Sequence, residues 1–158
     1  MLGLAGCQQP GEQSFSYWEE RRTAGDATQR LEVRTVGRVI DQAEVLTPEE
    51  EQRIGKTAQE VGQAGRRVVL VLTVPPLGQE SLEQFGWAIN GQRRDGGTVL
   101  LMVRPDDGTV RIETGGSLSP EQAAAVASAI RPDLRRRAAA PAIERGLATL
   151  EKLWATSA

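Results

Sequence analysis

Histidine is absent from this 158-residue chain, and cysteine occurs once, at Cys7. The first absence removes Ser-His and Cys-His dyads, HExxH zinc sites and any imidazole relay. The second removes an intrachain disulfide and a cysteine-based zinc cluster. Any catalysis must therefore use carboxylates, hydroxyls, lysine or arginine, or a metal held by oxygen ligands. A strong net charge is also missing: 19 basic residues face 21 acidic ones, a balance of −2. No global field draws nucleic acid, and none is expected as a partner. The basic clusters Arg66-Arg67, Arg93-Arg94 and Arg135-Arg136-Arg137 read as solvated faces rather than anion contacts. No apolar run reaches the roughly 18 residues of a membrane-spanning helix.

The amino terminus carries Leu4-Ala5-Gly6-Cys7, followed by a polar stretch with Pro10 and Gly11 that suits a tether. The four residues resemble the lipobox of bacterial lipoproteins, in which a small residue precedes the cysteine that becomes the mature N-terminus. That resemblance implies lipidation of Cys7, with acyl chains enough for stable membrane attachment. It places the protein on the periplasmic side of the cell envelope. With Gln8 rather than Asp after the cysteine, it points to the outer membrane if the cell is Gram-negative. Six residues before Cys7 are too few for a signal peptide, which leaves open a start upstream of Met1, so 1–7 read as a lipobox or signal remnant. Residues 8–30 lack periodicity and read as a flexible linker. Phe15, Tyr17 and Trp18 stand out in it, fit either to dock on the domain or to cover a sheet edge.

From 31 to 156 the patterns are those of one domain. Residues 31–36 alternate weakly, as an edge strand leading to Val39-Ile40-Asp41. Thr47-Pro48-Glu49-Glu50 is a capping box with proline at the first helical position. Ile54, Ala58 and Val61 follow at helical spacing, and Gly62 or Gly65 ends the helix. The run 67–74 is almost unbroken in apolar residues, as in a strand buried on both faces, and Pro75-Pro76 stops it. Ser81 caps a second helix with Leu82, Phe85 and Ile89 on one face. Residues 98–103 form another buried strand, which a crossover makes parallel to the first. Pro105-Asp106-Asp107-Gly108 turns the chain into an antiparallel strand through Val110 and Ile112. Ser119-Pro120-Glu121-Gln122 opens an alanine-rich helix that Pro132 is expected to interrupt. Pro141 is expected to open the last helix, with Ile143, Leu147, Leu150, Leu153 and Trp154 as its stripe. The fold class is α/β: a three-layer α/β/α sandwich with a mixed, mostly parallel central sheet and one antiparallel hairpin.

Five segments resemble the TPM-domain family of bacterial envelope and thylakoid-lumen proteins. Residues 39–49 (VIDQAEVLTPE) are similar to its opening motif V-x-D-x-A-G-x-L-S/T, and 78–85 (GQESLEQF) to G-x-E/D-S/T-I/L-E-x-Y/F. Residues 95–103 (DGGTVLLMV) resemble D-N-G-V-L-L-L/V-V, and 111–115 (RIETG) resemble R-I-E-x-G. The pair 132–135 (PDLR) and 142–146 (AIERG) resembles its closing helices. The chain departs from the family at Glu44, where the motif has glycine, at Gly96, where it has asparagine, and in a shortened helix after Phe85. The family's frequent acidic residue after G-x-x-L is also missing, since Leu118 leads into Ser119-Pro120. The resemblance implies an α/β/α fold beside or attached to a membrane, with acid-phosphatase activity or divalent-cation binding assigned to some members.

Asp41 and Asp95 match acidic positions of the resembled family, and carboxylate oxygens suit a hard cation such as calcium or magnesium; the resemblance thus makes them the first candidate metal ligands, and topology adds Asp106 and Asp107. Topology divides them. Asp41, Asp106 and Asp107 belong at the carboxyl edge of the parallel strands, where ligands of open α/β sheets bind, with Glu80 beside them. Asp95 belongs at the opposite edge with Gly115-Gly116. Each also has a structural use: turn chemistry for Asp106-Asp107-Gly108, loop hydrogen bonds for Asp95, a local backbone cap for Asp41. Ser81 and Ser119 read as helix caps, not nucleophiles, and no catalytic residue or organic cofactor is assigned. The reading favoured by these residues is a lipid-anchored envelope domain acting as an accessory or interaction module, with an envelope protein as partner and a divalent cation as candidate ligand. The alternative is a divalent-metal-dependent acid phosphatase, in which the metal polarises the phosphate and activates water.

Overall fold

The structure, a computed structural model, describes residues 12–17, 31–36, 38–76 and 98–157. Cys7, Glu80, the expected helix from Ser81 and Asp95 lie outside the described residues. Six strands form one sheet in chain order: β1 (Glu12–Tyr17), β2 (Leu31–Val36), β3 (Val39–Asp41), β4 (Val68–Thr73), β5 (Thr98–Arg104) and β6 (Thr109–Glu113). Strands β3, β4 and β5 are mutually parallel, and β6 returns antiparallel to β5 through the 105–108 turn. This four-stranded unit is the expected mixed sheet with its one hairpin.

Two further strands widen it. β2 pairs antiparallel with β3, and β1 pairs antiparallel with β2 from Glu12↔Val36 to Tyr17↔Leu31. Strand β2 is therefore not the edge that its weak alternation predicts. Residues 12–17, inside the stretch read as a linker, are a strand at the sheet edge, and Trp18 lies outside the described residues. Of the five pairings, three are antiparallel, so the parallel character is confined to the centre.

The register explains why β4 is apolar from Val68 to Leu72 and β5 from Val99 to Val103. Val39, Val71, Leu101 and Ile112 form one row across four strands, and Ile40, Leu72 and Met102 form the next, on the opposite face. The first face meets three helices: α1 (Pro48–Gly65), α2 (Pro120–Arg135) and α3 (Ala139–Thr156). Their buried residues Ile54, Ala58, Val61, Val126, Ile130, Leu134, Ile143, Leu147 and Leu150 join it in one core. The second face is equally dry, with Leu72, Val74, Leu100 and Met102 fully buried. Each such side chain contributes roughly 1.5–3 kcal/mol relative to exposure. No described helix is long and apolar enough to cross a membrane.

Both capping boxes form. Thr47 Oγ1 accepts from Glu50 N–H while the Glu50 carboxylate accepts from Thr47 N–H, and Ser119 and Gln122 repeat the exchange. The prolines behave differently from expectation. Pro132 does not interrupt α2, which runs on to Arg135. A proline there forfeits one backbone bond and costs about 3 kcal/mol, but fully buried Ile130 and Leu134 on either side hold the last turn in place. Pro141 is the third residue of α3 rather than its first, a position whose N–H would have had no helical acceptor.

Helices α1 and α2 both end in Schellman motifs. In α1, Arg67 N–H donates to Gly62 O and Arg66 N–H to Gln63 O; in α2, Ala138 N–H donates to Asp133 O and Arg137 N–H to Leu134 O. The left-handed position that favours glycine is filled by Arg66 (φ 54°) and Arg137 (φ 60°).

The closing motifs interlock. A Cβ on Gly146 would lie 2.6 Å from Ile130 Cγ1 and 3.4 Å from Leu101 Cδ2, so glycine there lets α3 approach α2 and β5. Arg145 Nε lies 2.5 Å from Asp133 Oδ2, an ion pair whose N–H is not aligned as a hydrogen bond.

Candidate functional site

The chain leaves β3, β4 and β5 at the same edge of the sheet, and the three exits form a cleft. Ala43 and Val45 come from the β3–α1 loop, Val74, Pro75 and Pro76 from the end of β4, Pro105 and Asp106 from the turn after β5. Arg137 and Ala139, from the α2–α3 junction, complete the wall. The volume is about 320 Å³, at the small end of ligand pockets, which run from roughly 300 to 1,000 Å³. Position is as expected for an open α/β sheet.

Asp41 stands at this edge but does not line the cleft. Its carboxylate is occupied: Oδ1 accepts from the Thr73 hydroxyl and from Val45 N–H (3.3 Å), and Oδ2 from Leu46 N–H (2.9 Å). Fully buried Thr73 in turn accepts from Ala43 N–H at 3.1 Å. The group pins the β3–α1 loop to the end of β4. This local backbone cap is the structural alternative to metal ligation. Beside it the side-chain amide of Gln42 has both Nε2 and Oε1 buried without a hydrogen-bond partner among the described residues.

The two turn aspartates divide their roles. Asp107 pairs with Arg104 through Oδ2 and accepts from Thr109 N–H through Oδ1 at 2.9 Å. The Arg104 guanidinium, aided by Thr109, holds its carboxyl well below the usual carboxylate range against the opposing effect of burial. Asp106 reaches only 3.7 Å from Arg104 Nε and faces the cleft. Among the described residues no three acidic or cysteine side chains come together as a cation site. Both oxygens of Asp41 and both of Asp107 already accept from protein donors. As they stand, these described donors do not fit a divalent cation.

Four features in and around the cleft carry little or no signal in the sequence. Thr73 is the last residue of an apolar strand, which gives no hint of its hydroxyl's use. Val45 is 41% exposed, the large apolar side chain left in water among the described residues. Arg137 reads in sequence as one of a basic run; its φ of 60° sets it apart, and no ion pair of its side chain occurs among the described residues. Glu44, beside Val45, has φ 53°, which a non-glycine residue adopts at a cost of roughly 1–2 kcal/mol. A signal for Glu44 did exist: it stands where the resembled motif has glycine.

A family model described as TPM domain matches residues 39–153. No curated protein matches. Among solved structures, the N-terminal domain of a protein from P. gingivalis is similar with a TM-score of 0.67 and 21% identity, covering 78% of this chain and 85% of that one. The N-terminal domain of cg2496 protein from Corynebacterium glutamicum gives 0.61 and 16%, covering 91% and 88%. The BA42 protein from the psychrophilic bacterium Bizionia argentinensis gives 0.61 and 16%, covering 73% and 85%. At these identities the likeness is one of fold.

Proposed function

The chain belongs to the TPM domain family, and from that membership we propose that it is a lipid-anchored envelope protein whose domain serves as an accessory, interaction module rather than a catalyst. The observation that supports this most is the state of the carboxylates at the cleft edge. Asp41 and Asp107 spend their oxygens on loop and turn donors, while the cleft beside them presents apolar walls, one arginine and one aspartate. Such a surface suits recognition. The anchor rests on the Leu4–Cys7 lipobox, and placement on the periplasmic side of the envelope follows from it.

The test begins with mass spectrometry of the protein taken from membranes of an expressing bacterium. Cys7 is expected to carry acyl chains, and Cys7→Ser to release the protein into the soluble fraction; an unmodified Cys7 would remove the anchor from the reading. Titration of labelled protein with calcium or magnesium checks the cation candidates. Coherent shifts around Asp41, Asp95 and Asp106 would restore the metal site, whereas this reading expects scattered surface shifts alone. The metal-dependent phosphatase reading stands or falls with p-nitrophenyl phosphate. Turnover above background in the presence of magnesium, abolished by Asp41→Asn or Asp95→Asn in a folded variant, would displace the module reading.

A further inference from the structure

We propose that the cleft at the carboxyl edge seats the C-terminal residue of a protein chain, with an apolar side chain and a free α-carboxylate. This rests on the interaction-module reading and gives it a ligand class. Three groups in the cleft match the three parts of such a residue. Arg137 supplies a guanidinium without an ion pair among the described residues, and guanidinium is the preferred partner of a carboxylate. Val45, Val74, Pro75, Pro76 and Pro105 supply an apolar wall, of which Val45 is solvent-exposed. Asp106 supplies an acceptor for the residue's own amide N–H, free of the tight arginine contact that occupies Asp107.

Helix α3 adds to the anion side. It starts at Ala139, on the cleft wall, and has no side-chain cap. The N–H groups left there are those of Ala139 and Ala140, since Pro141 has none, with the positive end of the helix dipole behind them. Capture of a chain terminus by such donors is a recurrent mode of peptide recognition. The volume of about 320 Å³ limits the site to one or two residues.

Backbone strain points to the same place. Glu44, between the lining residues Ala43 and Val45, and Arg137, on the cleft wall, hold left-handed conformations that glycine would hold more cheaply. Arg66 shows that strain alone is not diagnostic, since it ends α1 in the same conformation away from the cleft. What distinguishes Arg137 is that it stands on the cleft wall.

The left-handed backbone also makes a clean experiment possible. Arg137→Gly removes the guanidinium at a position where glycine is favoured, so loss of binding will not be confused with loss of fold. The full ¹⁵N-labelled chain is titrated with N-acetyl-leucine, N-acetyl-leucine amide and free leucine, and amide shifts are followed at 43–45, 74, 106 and 137–140. N-acetyl-leucine is expected to shift these resonances, with the amide binding at least tenfold more weakly. Arg137→Gly is expected to cost N-acetyl-leucine about tenfold while raising the unfolding midpoint. Equal binding of acid and amide, or full binding by a stably folded Arg137→Gly, would overturn the assignment. Tighter binding of free leucine would also overturn it, because Asp106 would then be reading an ammonium group and not a chain end. An acylated Cys7 without a response to N-acetyl-leucine would leave the module reading standing and remove this ligand alone.

Discussion

The helical side of the sheet and its carboxyl edge are built on opposite terms. On the helical side, polar and apolar groups are spent on one another: Gly146 lets α3 touch Ile130 and Leu101, Asp133 meets Arg145, and Arg53 Nε donates to Glu144 Oε1 at 2.6 Å across α1 and α3. At the carboxyl edge, Val45 is left in water, Gln42 has an unmatched amide, and Glu44 and Arg137 hold conformations that cost free energy. The difference teaches which of the family-like residues belong to the scaffold. Asp133, Arg145 and Gly146 belong to it, and so does Asp41 at the edge itself, because its carboxylate is a splint for the loop.

The comparison can be broken most severely from the helical side. Leu147→Ala, in a fully buried position, is expected to cost about 2–5 kcal/mol, read as a fall in the urea midpoint. A cost near zero would mean that α3 is not packed as described. Next in size is Asp41→Asn. It replaces an oxygen that accepts backbone and hydroxyl donors with an NH₂ group, and a loss of about 1–3 kcal/mol is expected. A neutral or stabilising change would return Asp41 to the candidate ligands, since a carboxylate kept for a ligand is relieved by its removal.

Smaller and of opposite sign are Glu44→Gly and Arg137→Gly. Each is expected to stabilise by about 1 kcal/mol, the relief of left-handed strain less the added freedom of the unfolded chain. Destabilisation at either would show that its side chain contributes to the fold.

The smallest effect is the pH dependence from Asp107. Its folded pKa lies below its unfolded value of about 3.9. The Arg104 pair therefore contributes its full stabilisation above roughly pH 4 and loses it as pH falls toward the folded value. The side chain is 40% exposed, so solvent screening holds the contribution to roughly 1 kcal/mol or less. Asp107→Asn should flatten the acid limb of a stability–pH curve by that amount, and an unchanged curve would show that the pair contributes nothing.

Much of this architecture was legible because local signals and burial agree. The two capping boxes mark the starts of α1 and α2 to the residue, and the apolar runs mark β4 and β5. The stripe Ile143, Leu147, Leu150 placed α3. What sequence could not place depended on long-range pairing. The weak alternation of 31–36 does not say on which side a partner lies, and 12–17 finds its strand only because β2 offers a free ladder. Pro132 reads as an interruption because its local cost is visible in the sequence while the burial of Ile130 and Leu134 is not. The site was less legible still. Asp41 and Asp106 were placed at the correct edge, but a carboxylate's availability depends on donors such as Thr73 and Leu46, which no spacing reveals.

The pair Pro75-Pro76 has a consequence beyond ending β4. Neither residue has an N–H, so the cleft wall that they form is closed to strand addition, and a visiting chain is denied the generic ladder that would accept almost any sequence. Their fixed φ also means that this wall surrenders little conformational freedom when something settles against it. The two prolines make the cleft fastidious: a guest must be recognised by what it carries at its tip, and a chain with nothing to offer but backbone finds no purchase.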